Sequence, residues 1–212
     1  TDSVYADATV TVSDDGKILT IENEVPDYWY KNAVYENIDT DKIIKVIIGE
    51  GVETIEKEAF CGWNALRVVY LPASIKNIED FAFKDCNKLR SINLASGLQM
   101  IGNSAFKNCS ALRKMVLPDT VHSLGTEAFY GCSSLKHITF SNQITAIPDG
   151  VCQYTGLTEL ELSDNVITIG EYAFANCNDL YEISLPDSIT FIGERAFYYD
   201  EKDKTATLED IE

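Results

Sequence analysis

Apolar residues recur along this chain with a period of 22 or 23 residues. Most periods contain an Ala-Phe pair, and apolar residues follow the Phe by six, nine and eleven positions, in the form Leu-x-x-Ile-x-Leu. The alternation near the end of that segment predicts a short β-strand that directs every second side chain into a core. The Phe places are held by Phe60, Phe83, Phe106, Phe129, Val151, Phe174 and Phe197.

No single period of this kind can bury its apolar side, whereas stacked periods share one continuous core. The pattern therefore predicts a β-rich solenoid of about seven turns, in which the Phe side chains stack as an aromatic ladder. We expect the Gly-x-x-Ala-Phe stretch to form a turn and one helical turn on the far side from the strands. The predicted fold class is accordingly an α/β repeat.

The fifth turn departs from the pattern. Pro148-Asp149-Gly150-Val151 replaces the usual residues, one residue is missing, and Tyr154 stands where four other turns have Cys. Two explanations are open: a degenerate turn that the solenoid tolerates, or a kink that shapes a binding surface.

The two ends of the chain differ from the repeats. Residues 1–42 predict an N-terminal cap, with a β-hairpin turning near Gly16 and an aromatic cluster that forms the core of the cap or a sugar-stacking platform. Residues 43–198 form the predicted solenoid. In residues 199–212, Leu208 and Ile211 restore the repeat spacing, which predicts either a truncated further repeat, with a natural protein that continues, or a C-terminal tail.

Three stretches carry most of the motif G-x-x-A-F-x-x-C-x-x-L-x-x-I-x-L-P: Gly102–Pro118, Gly125–Phe140 and Gly170–Pro186. They resemble the BspA-type leucine-rich repeats of bacterial surface proteins. The N-terminal runs Lys17–Ile21 and Gly51–Ile55 look like the cap that opens many members. The resemblance implies a right-handed solenoid on a secreted or cell-wall-attached protein, and the members with a known role are adhesins. It supplies no motif that fixes a ligand.

Composition excludes several classes of protein. Hydrophobic residues make up 45% and charged residues 24% of the 212 residues, which is typical of a globular chain. The formal net charge of −17 repels phosphate backbones and argues against nucleic-acid binding. No apolar run approaches the ~18 residues that a membrane-spanning helix needs, so membrane insertion is not expected.

Six cysteines fall into two groups. Cys86, Cys109, Cys132 and Cys177 each lie three residues after a repeat Phe, so all four are expected to point inward. Parallel Cβ directions suit a disulfide poorly, which predicts buried free thiols. Cys61 and Cys152 lie outside this column and are the cysteines expected to be exposed or bridged. No C-x-x-C spacing indicates a zinc site.

The sequence carries no catalytic signature. His122 and His137 are the two histidines, and H-E-x-x-H, G-x-S-x-G and phosphate-cradling Gly motifs are absent. The acidic residues fall in turns and on strand faces, without the cleft that a pair of catalytic carboxylates requires. We therefore expect no enzyme activity, no cofactor and no metal.

The residues between the inward positions of each strand define a candidate protein-binding face. Its members are Lys45, Ile47, Val68, Tyr70, Ser91, Asn93, Lys114, Val116, His137, Thr139, Glu159, Glu161, Glu182 and Ser184. Apolar residues on a wet sheet favour a binding face; the alternative is that β-branched residues simply suit strands. The acidic patch at the late end would attract a basic partner or a cation, unless it only reflects an acidic protein.

These expectations converge on a non-catalytic adhesion module, extracellular or attached to the cell wall. The expected partner is a protein of host matrix, mucus or a bacterial surface, recognised through the strands. The alternative function is a structural spacer that presents another domain and has no ligand of its own.

Overall fold

The computed structural model describes residues 9–23 and 38–200, and within them the chain forms β-strands and no helix. The first two strands are β1 (Thr9–Val12) and β2 (Ile18–Glu22). Two sets of shorter strands then alternate along the chain, one strand of each set per turn. The first set is β3 (Lys45–Ile48), β5 (Val68–Tyr70), β7 (Ser91–Asn93), β9 (Lys114–Val116), β11 (His137–Thr139), β13 (Glu159–Glu161) and β15 (Glu182–Ser184). The second set is β4 (Thr54–Ile55), β6 (Asn77–Ile78), β8 (Met100–Ile101), β10 (Ser123–Leu124), β12 (Ala146–Ile147), β14 (Thr168–Ile169) and β16 (Phe191–Ile192).

Strands of one set pair in parallel with the strand one turn away, because each turn brings the chain back to the same place in the same direction. Together with β1 and β2, the first set forms three sheet segments, in the orders β1-β2-β3-β5-β7, β9-β11 and β13-β15. The second set forms two, β4-β6-β8-β10 and β12-β14-β16. The result is a β-solenoid of about seven turns, as the 23-residue period predicted.

The Gly-x-x-Ala-Phe stretch forms a third hydrogen-bonded ladder, which we call the turn ladder (residues 58–198). In its first turn, Glu58 N donates to Asp80 O at 3.0 Å and Phe60 N donates to Ala82 O at 2.8 Å. Glu58 has a φ of 56°, in the left-handed region, and the equivalent residues of later turns share this conformation. The N–H groups of alternate residues, such as Glu58 and Phe60, consequently donate to the next turn and not along a helix. The predicted helical turn, and with it the α/β class, is therefore wrong for the described residues.

The predicted aromatic ladder is confirmed in the first four turns. Phe83 stacks on Phe60 and on Phe106 with ring centroids 5.3 Å apart, and Phe106 stacks on Phe129 at 5.6 Å. All four rings are fully buried. Such rings dominate core energetics because each buries a large apolar area.

Cys152, and not Val151, holds the Phe place of the fifth turn. Cys152 N donates to Ala173 O at 2.8 Å, the bond that Phe129 N makes to Val151 O in the turn before. The assignment of Val151 to the Phe place is wrong. The hydrogen-bond register, and not the apolar character of the side chain, defines which residue takes that place. The small Cys152 side chain interrupts the ring stack, which resumes in later turns at Phe174.

The missing residue of the fifth turn falls between Thr155 and Leu157. Thr155 N donates to Cys152 O at 3.2 Å, as a column Cys does to its Phe, so Thr155 and not Tyr154 takes the Cys place. Gly156 closes the shortened segment, and a Cβ there would overlap the carbonyl oxygen of Ser133 in the previous turn. The deletion is thus accommodated by a glycine that permits close backbone approach.

The predicted hairpin is present, with β1 antiparallel to β2. β2 also pairs in parallel with β3, and its Leu19 and Ile21 are fully buried. The hairpin therefore extends the sheet of the first repeats. The aromatic cluster and residues 201–212 lie outside the described residues, and the domain division, the capping role and the handedness stay predictions.

Candidate binding face

The strand face consists of the outward side chains of β3, β5, β7, β9, β11, β13 and β15. Strand register arranges them in two rows that run along the solenoid. The first row is Lys45, Val68, Ser91, Lys114, His137, Glu159 and Glu182. The second row is Ile47, Tyr70, Asn93, Val116, Thr139, Glu161 and Ser184. Lys45, Ile47 and Val68 are half-buried, and the other members are exposed.

The hairpin adds a strand to this face that sequence reasoning missed. Ile18 pairs in register with Lys45, and Thr20 with Ile47, so both rows begin on β2. Both side chains are half-buried. The alternation of Lys17–Ile21 matches that of the repeat strands and is the signal that could have found this strand, although the same residues also fit the predicted cap.

Two grooves cross the strand face where the strand ladder is interrupted, between β7 and β9 and between β11 and β13. The first groove has a volume of about 480 Å³ and is lined mainly by apolar residues, among them Ile92, Leu94 and Met115. The second has a volume of about 580 Å³ and is lined by His137, the glutamates of β13, and β15. The face thus offers one apolar and one acidic depression.

The early half of the strand face presents apolar side chains. Tyr70 is 48% exposed and Val116 is 49% exposed. Lys45 Nζ lies 4.7 Å from the centre of the Tyr70 ring, which holds the ring under a cation. Asn93 is less available to a partner, because its side chain donates to Leu71 O at 3.0 Å and accepts from Leu71 N at 3.1 Å.

The late half of the strand face is acidic. Glu159 lies opposite Glu182 in the β13–β15 register, and Glu161 lies opposite Ser184. His137 Nδ1 is 2.8 Å from Glu159 Oε1. Among the described residues, no lysine or arginine forms an ion pair with Glu161 or Glu182.

Some carboxylates elsewhere on the solenoid have a cationic partner one turn away. Lys76 Nζ lies 2.7 Å from Glu53 Oε1, and Lys107 Nζ lies 2.6 Å from Glu127 Oε2. Ion pairs of this kind therefore link some turns of the solenoid, and none of those described involves Glu161 or Glu182.

A family model for the BspA type leucine-rich repeat region matches residues 31–155 and 145–211, with six copies. The chain belongs to the BspA-type leucine-rich repeat family. The match extends over most of the chain, and the repeats that it covers are the turns of the solenoid described above.

Solved structures of bacterial leucine-rich repeat proteins share this BspA-type fold. A protein from Bacteroides ovatus has a TM-score of 0.72 and 25% identity, over 91% of this chain and 55% of that chain. One from T. pallidum has a TM-score of 0.68 and 25% identity, over 91% and 86%. One from Eubacterium ventriosum has a TM-score of 0.62 and 23% identity, over 92% and 62%. The chain thus spans about half to two thirds of two of these proteins. A search among curated proteins gave no match.

The column cysteines of this BspA-type solenoid are buried free thiols, as predicted. Cys86 Sγ donates to Phe60 O at 3.1 Å, and Cys132 Sγ donates to Phe106 O at the same distance. Burial raises the pKa of the Cys132 thiol to about 12 and that of Cys177 to about 11. Because the thiolate is the reactive form, these cysteines are inert in the folded protein.

The remaining two cysteines differ from each other. Cys61 is partly exposed, whereas Cys152 is fully buried, so the expectation that Cys152 is exposed is wrong. The reason is its position in the Phe place of the fifth turn. Cys152 is also a free thiol, so it is neither exposed nor bridged as expected.

Two further kinds of site were searched for in the described part of the chain. No group of three or more His, Cys, Asp or Glu residues there could hold a metal ion. No helix within residues 9–23 and 38–200 is long and apolar enough to cross a membrane.

Proposed function

We propose that this protein is a non-catalytic binding module of the bacterial cell surface, which recognises a protein through the strand face. Leucine-rich repeat solenoids generally act as protein-interaction modules. The observation that carries the proposal is the composition of the face: Tyr70 and Val116 stand half-exposed, and Glu161 and Glu182 lack a cationic partner among the described residues. Solvation alone requires neither feature.

The two halves of the face would contribute differently to binding. Exposed aromatic and aliphatic side chains at the early half supply area for a buried anchor. The carboxylates of the late half steer and orient a partner of opposite charge, which raises the association rate more than the affinity. The partner class that fits both is a basic protein of host matrix, mucus or a neighbouring bacterial surface, met outside the cell or at the cell wall.

The experiment is capture of immobilised basic matrix or mucus proteins by the intact chain. A variant with Glu159, Glu161 and Glu182 changed to Gln is expected to bind at least tenfold more weakly. The matched control changes three exposed acids off the face: Glu50→Gln, Asp164→Asn and Glu171→Gln. Equal loss of binding in both variants would mean that net charge, and not the strand face, governs attachment.

The second candidate function is a structural spacer without a ligand. It is favoured by the turn ladder, which continues without interruption from Glu58 to Tyr198 and so braces the solenoid along its whole described length. Full binding by a variant with both halves of the strand face substituted would favour this function.

A further inference from the structure

The groove between β7 and β9 exposes two core side chains in the middle of the solenoid. Ile92 and Leu94 are only half-buried, although they hold the inward places of their turn. The equivalent residues one turn earlier, Val69 and Leu71, are buried, and so are the equivalents one turn later. Apolar surface that the next turn covers elsewhere is therefore open to solvent through this groove, and such exposure is typical of an interaction site.

The exposure follows from a local opening of the strand ladder. In the neighbouring turns, Arg90 N donates to Arg67 O at 2.9 Å and Lys136 N donates to Arg113 O at 3.0 Å. Within the described part of the chain, no equivalent bond joins Arg113 N to Arg90 O. β8 and β10 stay paired across the same two turns, so the opening is confined to the strand face.

Basic residues lie beside this groove without acidic partners. Residues 86–118 contain five basic residues and no acid, and Asp119 follows at the opposite end of β9 from Arg113. Arg90, Arg113 and Lys114 are exposed, and none of them forms an ion pair within residues 9–23 and 38–200. Lys114 lines the groove, and the two arginines directly precede β7 and β9, the strands on its two sides. β5, β7, β9 and β11 carry no acidic residue, so the nearest carboxylates on this part of the strand face are those of β13.

The combination of an aliphatic floor and a cationic rim determines which ligand the groove fits. An apolar side chain would cover Ile92 and Leu94, as the central anchor of a protein interface does. Carboxylates beside that anchor would pair with Arg90 and Arg113, because planar guanidinium groups match carboxylate geometry. A sulfated polysaccharide would pair with the cations but leave the apolar floor uncovered, whereas an acidic peptide with an apolar residue satisfies both.

We propose that the groove between β7 and β9 binds an acidic peptide segment with an apolar anchor, supplied by the protein that the strand face recognises. The inference rests on the proposed function for the nature of the partner, and it adds a segment of opposite charge to the one that Glu161 and Glu182 attract. A partner that spans both halves presents its acidic segment to the groove and its basic segment to β13 and β15. The two charges then fix the orientation of the partner on the face.

Fluorescence anisotropy of the intact chain with a panel of labelled hexapeptides tests the proposal. Each peptide has two acidic residues on either side of a central pair of Leu, Ile, Phe or Trp. At least one should bind, and its affinity should fall as salt is raised, because exposed charges are screened. The same peptides with a central Ser pair, or with Lys in place of the acids, should bind at least tenfold more weakly.

Three results with these probes overturn the proposal. The first is that no member of the panel binds. The second is that the basic peptides bind as tightly as the acidic ones. The third is that a heparin oligosaccharide binds while every peptide fails, which would assign the cations to a sulfated polysaccharide.

Substitutions at the rim locate the binding site. The double variant Arg90→Gln with Arg113→Gln should bind the peptides at least tenfold more weakly and keep its melting temperature, because both side chains are exposed. Val116→Glu places a carboxylate at the groove and should weaken binding as well. The matched control, Lys57→Gln with Lys76→Gln, removes the same charge from exposed sites elsewhere and should leave the affinity unchanged. Equal losses in the two double variants would mean that net charge governs binding, and would overturn the proposal.

The triple variant of Glu159, Glu161 and Glu182 to Gln separates this proposal from the proposed function. It should keep its affinity for the acidic peptides and lose the capture of basic proteins. Capture that behaves in this way, without peptide binding by the wild-type chain, overturns the groove site and leaves the proposed function intact. Peptide binding at the groove without capture of any basic protein supports the groove site and overturns the role proposed for the acidic half.

Discussion

Glu159 on β13 lies directly opposite Glu182 on β15, in a parallel register that places one turn's carboxylate beside the next. Neighbouring strands are about 4.8 Å apart, and like charges at that separation destabilise a sheet by up to ~1 kcal/mol. Directly before β6 and β4, by contrast, Lys76 forms an ion pair with Glu53 one turn away. The strand face therefore retains a like-charge contact between adjacent turns, in contrast to the ion pair of Lys76 with Glu53.

The first prediction is that relieving this repulsion stabilises the fold. Changing Glu159, Glu161 and Glu182 to Gln should leave the melting temperature equal or slightly higher, because the substitutions remove like charges that oppose each other across the sheet. Calorimetry at low salt checks the melting temperature. A melting temperature several degrees lower in the variant would mean that favourable contacts of these carboxylates outweigh their mutual repulsion.

The salt dependence of binding is a separate prediction for the same residues. Attachment to a basic protein should weaken steeply as ionic strength rises, since exposed charges are screened over ~8–10 Å. The triple Gln variant should show a much shallower dependence, measured by surface plasmon resonance at several salt concentrations. If the affinity changes neither with salt concentration nor with the substitutions, the main contacts lie in the apolar half of the face, around Ile47, Tyr70 and Val116.

Phe106→Ala should destabilise the protein by ~3–5 kcal/mol, because it removes a ring packed between Phe83 and Phe129 and leaves a cavity. Urea unfolding followed by circular dichroism measures the loss. Val116→Ala is the matched control at an exposed site and should cost well under ~1 kcal/mol. Similar losses at both positions would contradict the role of the aromatic ladder.

The thiols of Cys86, Cys109 and Cys132 should react with a thiol reagent only after denaturation, whereas partly exposed Cys61 should react in the folded state. Burial raises the pKa of these column thiols, so the folded state keeps the proton that the unfolded chain loses above about pH 8.5. Their contribution to stability is thus full below that pH and declines as the pH rises. A melting temperature that increases from pH 8 to pH 10, or a disulfide between column members in mass spectrometry, contradicts this.

Gly156→Ala should destabilise the fifth turn, because its Cβ would overlap Ser133 O, by ~1–3 kcal/mol. Gly97→Ala is the matched control, since the Cβ there would meet Ala73 O at an ordinary contact distance of 3.5 Å. Chemical denaturation of the two variants measures the difference. Equal effects would mean that the deletion of one residue is not accommodated at Gly156.

The alternation of apolar residues predicted the core and the outward rows, because burial depends on whether a side chain is apolar, which the sequence states directly. The helical turn was a wrong prediction because the left-handed φ of a residue such as Glu58 has no signature in residue type. The assignment of Cys152 to the Phe place depends on backbone hydrogen bonds. The interruptions of the strand ladder, between β7 and β9 and between β11 and β13, depend on such bonds as well. Apolar spacing alone does not specify those bonds.

The turn ladder also bears on how such a chain changes in length over evolution. Each turn donates N–H groups to the next and accepts from the one before, so every interior turn offers its neighbours the same backbone surfaces. Duplication or loss of one whole 23-residue unit restores all of these bonds at the new junction. A change of a single residue does not, and is tolerated where a glycine such as Gly156 allows the chain to take the shorter path.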